Sequence, residues 1–490
     1  MTDQAGCWSG FRTLFKTRKS PRPDEADRNK QHTSTGALIS NLPPTYDWHQ
    51  VSKQDVVYRN HFYDWSPLEK RAPREYAGKL ELPNPGALDT SDERIVQLDS
   101  ALRDLNVKIH DRPELGWNVG YAHDLLTQFL EEHGFTVTRH YLSDRLPGNT
   151  AWRGEFTIPS NGHSSLPVVG FNSEMDALPG VGHACGHNLI AVAGVAAALG
   201  LKDAMGKHNI PGKIVILGTP AEESGAGKEH LLRAGAYSDM DVCLMAHPGP
   251  GDEYHKSVWT GGSLALESFT VEYHGQTAHA GAAPWEGRNA LDAAFVAYAA
   301  ISALRQQIHP SARVHGMIAG QHWAPNIIQD YARMTYYVRA PSWDQVTALR
   351  QRVNKCFEAA ALATSCTMTV KNHEPIKDLQ QNSVLSDDFA TVMVARYNRP
   401  FIPDVPTGAS TDFVSNWVLA LPSIHPGFSI PTIVGGGNHT PAYTAAARTK
   451  EAHENAMAVA KGLSAVGLHV LLDPEFRQSV KDAFKKQFPQ

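Results

Sequence analysis

The 490-residue chain is poor in the features that mark several protein classes, and each shortage excludes something. It has five cysteines, Cys7, Cys185, Cys243, Cys356 and Cys366, an odd number without paired spacing. That pattern excludes the disulfide framework of a small secreted scaffold and fits a reducing compartment. The longest apolar run, from Leu189 to Leu201, is too short and too interrupted by glycine to cross a bilayer, so no membrane partner is expected. No apolar segment of the signal-peptide kind opens the chain, which makes cytoplasm the expected location. Positive charge is not in excess: 45 Lys and Arg against 50 Asp and Glu give a net charge of −5. This argues against a general binder of phosphate backbones, and no nucleic-acid partner is expected. Nucleotide loops are missing too. Gly225-Ala226-Gly227-Lys228 lacks the first P-loop glycine at the needed spacing and is followed by Glu229 instead of Ser or Thr. Gly180, Gly182 and Gly186 have the wrong final spacing for a dinucleotide fingerprint.

What is present is the composition of a globular protein, 42% hydrophobic and 19% charged, in a chain long enough for two domains and appendages. Residues 1–90 read as a poorly ordered or peripheral extension, because Lys16, Arg18, Lys19 and Arg22 among prolines and polar residues cannot bury enough apolar surface to offset ordering entropy. From Thr90 a helical pattern runs through Ile95, Leu98, Leu102 and Leu105, with Thr90 or Ser91 as cap. Strands expected at 135–137, 167–171, 213–218 and 241–246 alternate with helices, which predicts an α/β catalytic domain with a mainly parallel sheet. Between 264 and 373 the order becomes β-α-β-β-α-β, a ferredoxin-like split βαβ inserted into the larger domain, with Ser342 to Gln345 spaced as a capping box. The expected divisions are 1–90, a catalytic domain in two parts (91–263 and 374–490), and the insert at 264–373.

Chemistry concentrates around His183-Ala184-Cys185-Gly186-His187-Asn188, between a strand and a long apolar helix. Asn188 is expected to cap that helix, which would place Cys185 near its positive end and favour thiolate. Thiolate and neutral imidazole are ordinary zinc ligands; a buried thiol beside a backbone-bonded histidine is the competing reading. Glu222 and Glu223 follow a strand, so one carboxylate can bind an ion while its neighbour faces water; an acidic first turn complementing a helix dipole is the alternative. His247 also stands at a strand end, where a structural histidine is common. His439 follows Gly435-Gly436-Gly437-Asn438, which allows close backbone approach or simply a flexible turn. Taken together, Cys185, His187, Glu223, His247 and His439 are all metal-compatible and mostly follow strand ends, where open α/β sheets place their sites. Glu222 is then the spare carboxylate, positioned as general base.

The chain resembles the metal-dependent aminoacylase/carboxypeptidase family, in its cysteine-ligand amidohydrolase branch and nearest to the aminoacylase-1-like dipeptidases. The resemblance runs from about residue 92 to the C-terminus. It is carried by Asp176-Ala177-Leu178-Pro179, His183 to Ile190, Thr219-Pro220-Ala221-Glu222-Glu223, His279-Ala280, Pro284 to Ala294, Ala324 to Ile328 and Ser410-Thr411-Asp412-Phe413. It implies a metallo-amidohydrolase cleaving a dipeptide or N-acyl amino acid, with one or two divalent ions per subunit, zinc or manganese, cobalt being possible. By resemblance, Cys185, His187, Glu223, His247 and His439 are ligands, Glu222 is the general base and Asp176 orients a ligand. His279 would stabilise the oxyanion, usually from the partner subunit of a homodimer formed through the insert, and Asn326 and Arg339 would hold a substrate carboxylate. Two-zinc relatives carry histidine two residues before the orienting aspartate; this chain has Glu174 there. The same tetrahedral chemistry also serves an amide-forming or acyl-transfer enzyme.

Overall fold

The computed structural model describes residues 84–160, 165–251, 256–405, 408–413 and 421–487. The extension read from residues 1–83 lies outside the described residues. The first helix, α1 (Pro85–Gln97), starts five residues ahead of the expected Thr90. Asn84 caps it by accepting the Ala87 amide, and Pro85 suits the first turn, where a missing N–H costs nothing. Thr90 and Ser91 are instead buried inside that helix, Ser91 Oγ bonding Ser464 Oγ at 2.7 Å. The apolar periodicity continues past Leu98 into α2 (Asp99–Asp111), and α3 (Gly120–Glu132) follows.

Six strands build the main sheet. β1 (Thr136–Thr138) and β2 (Trp152–Ile158) form its antiparallel edge; β2 falls in a segment the sequence pattern reads as irregular, because Arg153, Gly154 and Glu155 interrupt the apolar run. β3 (Val168–Glu174) is buried along its whole length and runs three residues beyond its apolar core, through Asn172, Ser173 and Glu174. After α4 (His187–His208) come β4 (Gly212–Thr219), two short helices α5 (Glu222–Gly225) and α6 (Gly227–Arg233), and β5 (Val242–Leu244). The order is β1-β2-β4-β3-β5, with a short strand at 423–424 completing the edge beside β5. β4, β3, β5 and that last strand are parallel, so the ligand-bearing segments leave the same end of neighbouring strands. Helix α4 is long and apolar enough for a bilayer, yet 83% of its most apolar stretch is buried within the protein, against β3 and the long C-terminal helix at 450–472. Its apolarity is that of a core helix.

A second, small sheet contains β6 (His247–Gly251) and β7 (Val258–Trp259). β6 reads His-Pro-Gly-Pro-Gly, a composition that argues against a strand, and it pairs in parallel with the stretch at 427–431.

The insert has its own core. β8 (Ala265–His274), α7 (Ala290–Arg305), β9 (Arg313–Gly320), β10 (Tyr331–Ala340), α8 (Trp343–Thr364) and β11 (Thr367–Asn372) give an antiparallel sheet in the order β11-β8-β10-β9. Ser342 caps α8 by accepting the Gln345 amide. The inner face of the sheet meets both helices around Phe269, Tyr336 and Phe357, whose rings pack edge to face. β9 and the outer face of α7 expose Met317, Phe295 and Tyr298.

The return to the main body brings α9 (Ser383–Ala395), the short strands already mentioned, and α10 (Pro441–Ala447), capped by Thr440. It ends with α11 (Lys450–Leu472), buried against α4 and α9, and α12 (Pro474–Gln487).

Candidate metal centre

Helix α4 begins at His187, not after Asn188. Gly186 occupies the cap position with φ 81°, a left-handed backbone that glycine adopts without steric cost, and this puts the His187 ring in the first turn. Asn188, expected as the cap, lies one residue inside the helix. Its amide donates to Asn106 Oδ1 at 2.5 Å and to the Ala447 carbonyl at 3.1 Å, tying α4 to α2 and α10. Two further turns present site residues through uncommon left-handed backbones: Ala221 (φ 64°) before Glu222, and His439 itself (φ 68°).

Ligand atoms of six residues from four segments converge. Three groupings have all their donor atoms within 4.8 Å of one another: Cys185, His187 and His247; Cys185, Glu223 and His439; and His187, Glu222 and Glu223. They share members, so they form one cluster. Cys185 Sγ lies 3.4 Å from His247 Nε2, His187 Nε2 is 3.7 Å from Glu223 Oε1 and 3.8 Å from Glu222 Oε2, and His439 Nε2 is 3.6 Å from Glu223 Oε2.

Supporting bonds orient these donors. His247 Nδ1 donates to the Pro248 carbonyl at 2.7 Å, which leaves the Nε2 lone pair facing Cys185. Asp176 does two jobs: its Oδ1 lies 3.4 Å from His187 Nδ1, and its two oxygens accept the amides of Glu222 (3.1 Å) and Glu223 (3.0 Å). One carboxylate therefore sets the His187 ring and the turn that carries both glutamates.

Burial dominates the electrostatics. It pushes the Cys185 thiol up to about 12, so the expected helix-end thiolate does not form in the polypeptide alone; an ion must displace the proton. Burial likewise lowers His247 to about 4, keeping its ring neutral. At His187 burial opposes the charged ring, but the Glu174 charge and the bond to Asp176 outweigh it and raise it well above the usual range. Glu222 is raised by burial and then by the negative charges of Glu174 and Asp412. Both ring nitrogens of His187 and Glu223 Oε1 are buried without a hydrogen-bond partner, as expected of groups whose lone pairs await a cation. Thiolate, imidazole and carboxylate donors in this arrangement fit one or two divalent ions.

The three residues expected from the insert divide. Arg339, near the end of β10, donates to Ser410 Oγ at 2.7 Å and stands within electrostatic reach of Glu222. His279 and Asn326 lie beyond the opposite end of the same sheet, past the His274–Tyr331 pair, joined by a His279–Ile327 bridge and the Ala280 amide bonding the Asn326 carbonyl. From position 331 to 339 a strand rises about 27 Å, so within one chain His279 and Asn326 do not meet the metal cluster. His279 is exposed, and its Nδ1 accepts the Gly281 and Ala282 amides at 3.2 and 3.1 Å. The neutral ring therefore carries its proton on the outward Nε2, ready to donate.

Sequence reasoning missed Lys228 and the part played by Glu174 and Asp412. Lys228 Nζ is completely buried between Glu174 Oε1 (2.6 Å) and Asp412 Oδ1 (2.5 Å). Its signal was the lysine ending a failed P-loop, which has no meaning until the fold places it beside two carboxylates.

With this geometry established, likeness to known proteins becomes informative. A family profile of the peptidase dimerisation domain matches residues 265–365. The Xaa-Arg dipeptidase of Homo sapiens is 38% identical over 422 residues, covering 83% of this chain and 92% of that protein. One of the two subunit types of the p-aminobenzoyl-glutamate hydrolase of Escherichia coli is 31% identical over 302 residues, 58% of this chain and 60% of that one. Among solved structures, a dinuclear metal-binding peptidase of the M20 family from Bacillus subtilis superposes with a TM-score of 0.58 at 18% identity, covering 77% of this chain and 99% of that chain, a likeness of fold. The chain belongs to the M20 peptidase family.

Proposed function

We infer that the protein is a metal-dependent dipeptidase or aminoacylase-type amidohydrolase that works as a homodimer with composite sites. The observation that carries the reading is the convergence of Cys185, His187, Glu223, His247 and His439 around a spare carboxylate, Glu222. A divalent ion held there, zinc or manganese with cobalt as a substitute, would polarise the scissile carbonyl and acidify water. Glu222 accepts the water proton at its carboxylate and returns it to the leaving amine nitrogen. Arg339 offers its guanidinium to a substrate carboxylate. His279 and Asn326 come from the partner subunit, because the sheet holds them too far from Arg339 for one chain to supply all three. The sulfurs of Cys185, Cys243, Cys356 and Cys366 are free thiols, which supports a cytoplasmic location.

The direct test is turnover of a panel of dipeptides and N-acyl amino acids, followed by mass spectrometry after chelation and restoration of zinc, manganese or cobalt. The panel includes dipeptides ending in arginine, the class named for the human relative. Metal-dependent cleavage supports the reading; bound metal with no cleavage of any member counts against it.

Two variants probe supporting residues. Asp176→Asn should weaken metal affinity about 10- to 100-fold, the usual cost of removing the partner that orients a ligand. Chelator competition measures this, and unchanged affinity would remove Asp176 from that role. Arg339→Ala should raise KM roughly 10- to 100-fold for substrates with a free carboxylate, as expected for loss of a charge-assisted contact. An equal rise for a carboxylate-free amide would contradict the assignment.

A further inference from the structure

Behind the ligands lies a group of buried charges that the proposed reaction does not use. Glu174, Lys228 and Asp412 are all nearly or completely buried. Asp412 receives the Lys228 backbone amide at 2.8 Å as well as its ammonium, so both the start of α6 and the side chain are pinned. Gly227 makes this approach possible: a Cβ there would meet the Pro220 carbonyl oxygen at 1.7 Å, and the turn would be forced away from the strand end. Lysine reaches such a site only with counter-charges, and here it has two.

Glu174 faces two ways. Oε1 takes the Lys228 ammonium at 2.6 Å, while Oε2 lies 3.2 Å from His187 Nε2, the nitrogen that also faces Glu222 and Glu223. That spacing is short enough for a carboxylate oxygen to compete for an ion held by His187. Yet Glu174 belongs to none of the three groupings in which donor atoms lie mutually within 4.8 Å. Its clamped oxygen accounts for this, because the carboxylate cannot swing toward the cluster without leaving a buried ammonium half paired.

We propose that Lys228 is a positioning residue of the metal centre: by clamping Glu174 it keeps this carboxylate out of the ligand set and so fixes how many donors an ion meets. The proposal rests on the metal-centre reading above. The triad carries a net charge of −1, and two double variants preserve that charge while moving it. Lys228→Met with Asp412→Asn leaves Glu174 anionic and released. Lys228→Met with Glu174→Gln leaves the charge on Asp412.

The experiment titrates metal-free full-length protein with cobalt(II), following uptake and the d–d absorption that reports coordination number. The variant with released Glu174 should bind cobalt about tenfold more tightly, or show the weaker bands of higher coordination, while the other double variant resembles wild type. Indistinguishable binding and spectra in the two double variants would overturn the proposal. Glu174→Gln alone, isosteric and with Lys228 still held by Asp412, covers the case in which a double variant does not fold. Its cobalt spectrum should match wild type; a shift to fewer ligands would make Glu174 a ligand and overturn the proposal as well. Wild-type protein that takes up no divalent ion would sink the metal-centre reading itself, a result distinct from either of these.

Discussion

Replacing Glu222 by glutamine should lower kcat roughly 10²- to 10⁴-fold, the range of a lost general base, while the protein retains its ion. The substitution preserves shape and removes only the ability to take and return a proton. Glu222 is suited to that task by its surroundings. Burial and the charges of Glu174 and Asp412 raise its affinity for a proton, which makes its carboxylate a stronger base than one in water. Its backbone amide is held by Asp176, so the side chain starts from a fixed point beside Glu223. Metal content by mass spectrometry separates the outcomes. Lost activity with retained metal supports the role; a nearly fully active variant would end it, and loss of metal would make Glu222 a ligand instead.

The second large effect concerns the subunit boundary. His279→Ala should also lose about 10²- to 10³-fold, the scale of removing one donor to a developing oxyanion. Mixing the two inactive proteins, one carrying Glu222→Gln and the other His279→Ala, should then restore activity. In a two-fold dimer with shared sites, one of the two sites in each mixed dimer combines an intact Glu222 with an intact His279. Random exchange makes half the dimers mixed, so recovery should approach roughly a quarter of wild-type turnover. The basis is the length of β8 and β10, which holds His279 and Asn326 beyond one end of the insert while Arg339 meets Ser410 at the other. No recovery after verified exchange would mean that His279 acts within its own chain or not at all.

Much of the fold was legible because its signals are local. The β-α-β-β-α-β order of the insert follows from period-two alternation in β10, whose buried residues Ala332, Met334, Tyr336 and Val338 face one core. The capping of α8 by Ser342 needs only a short window of sequence. Elements without such signals were missed. β6 is built from prolines and glycines and exists because the stretch at 427–431 lies alongside it. β3 extends through polar Asn172, Ser173 and Glu174 because flanking strands pair with it, not because those residues favour a strand. The start of α4 was misread by one residue because asparagine is a good cap in isolation, whereas here Gly186 makes the turn and Asn188 is drawn into bonds with α2 and α10.

The sequence by itself determined the donor chemistry: a cysteine, histidines and paired glutamates at strand ends can be read in order, and motifs on both sides tie them to an amide-hydrolysing family. Tertiary structure alone decided which donors share a space, that the Cys185 thiol needs an ion to lose its proton, that His279 stands too far away for its own chain's site, and that Lys228 is locked between Glu174 and Asp412. The reason is physical. Residue type sets what a group can bind, but ionisation and coordination depend on burial and on distances of a few ångströms between segments far apart in the chain, and only the packed fold fixes those.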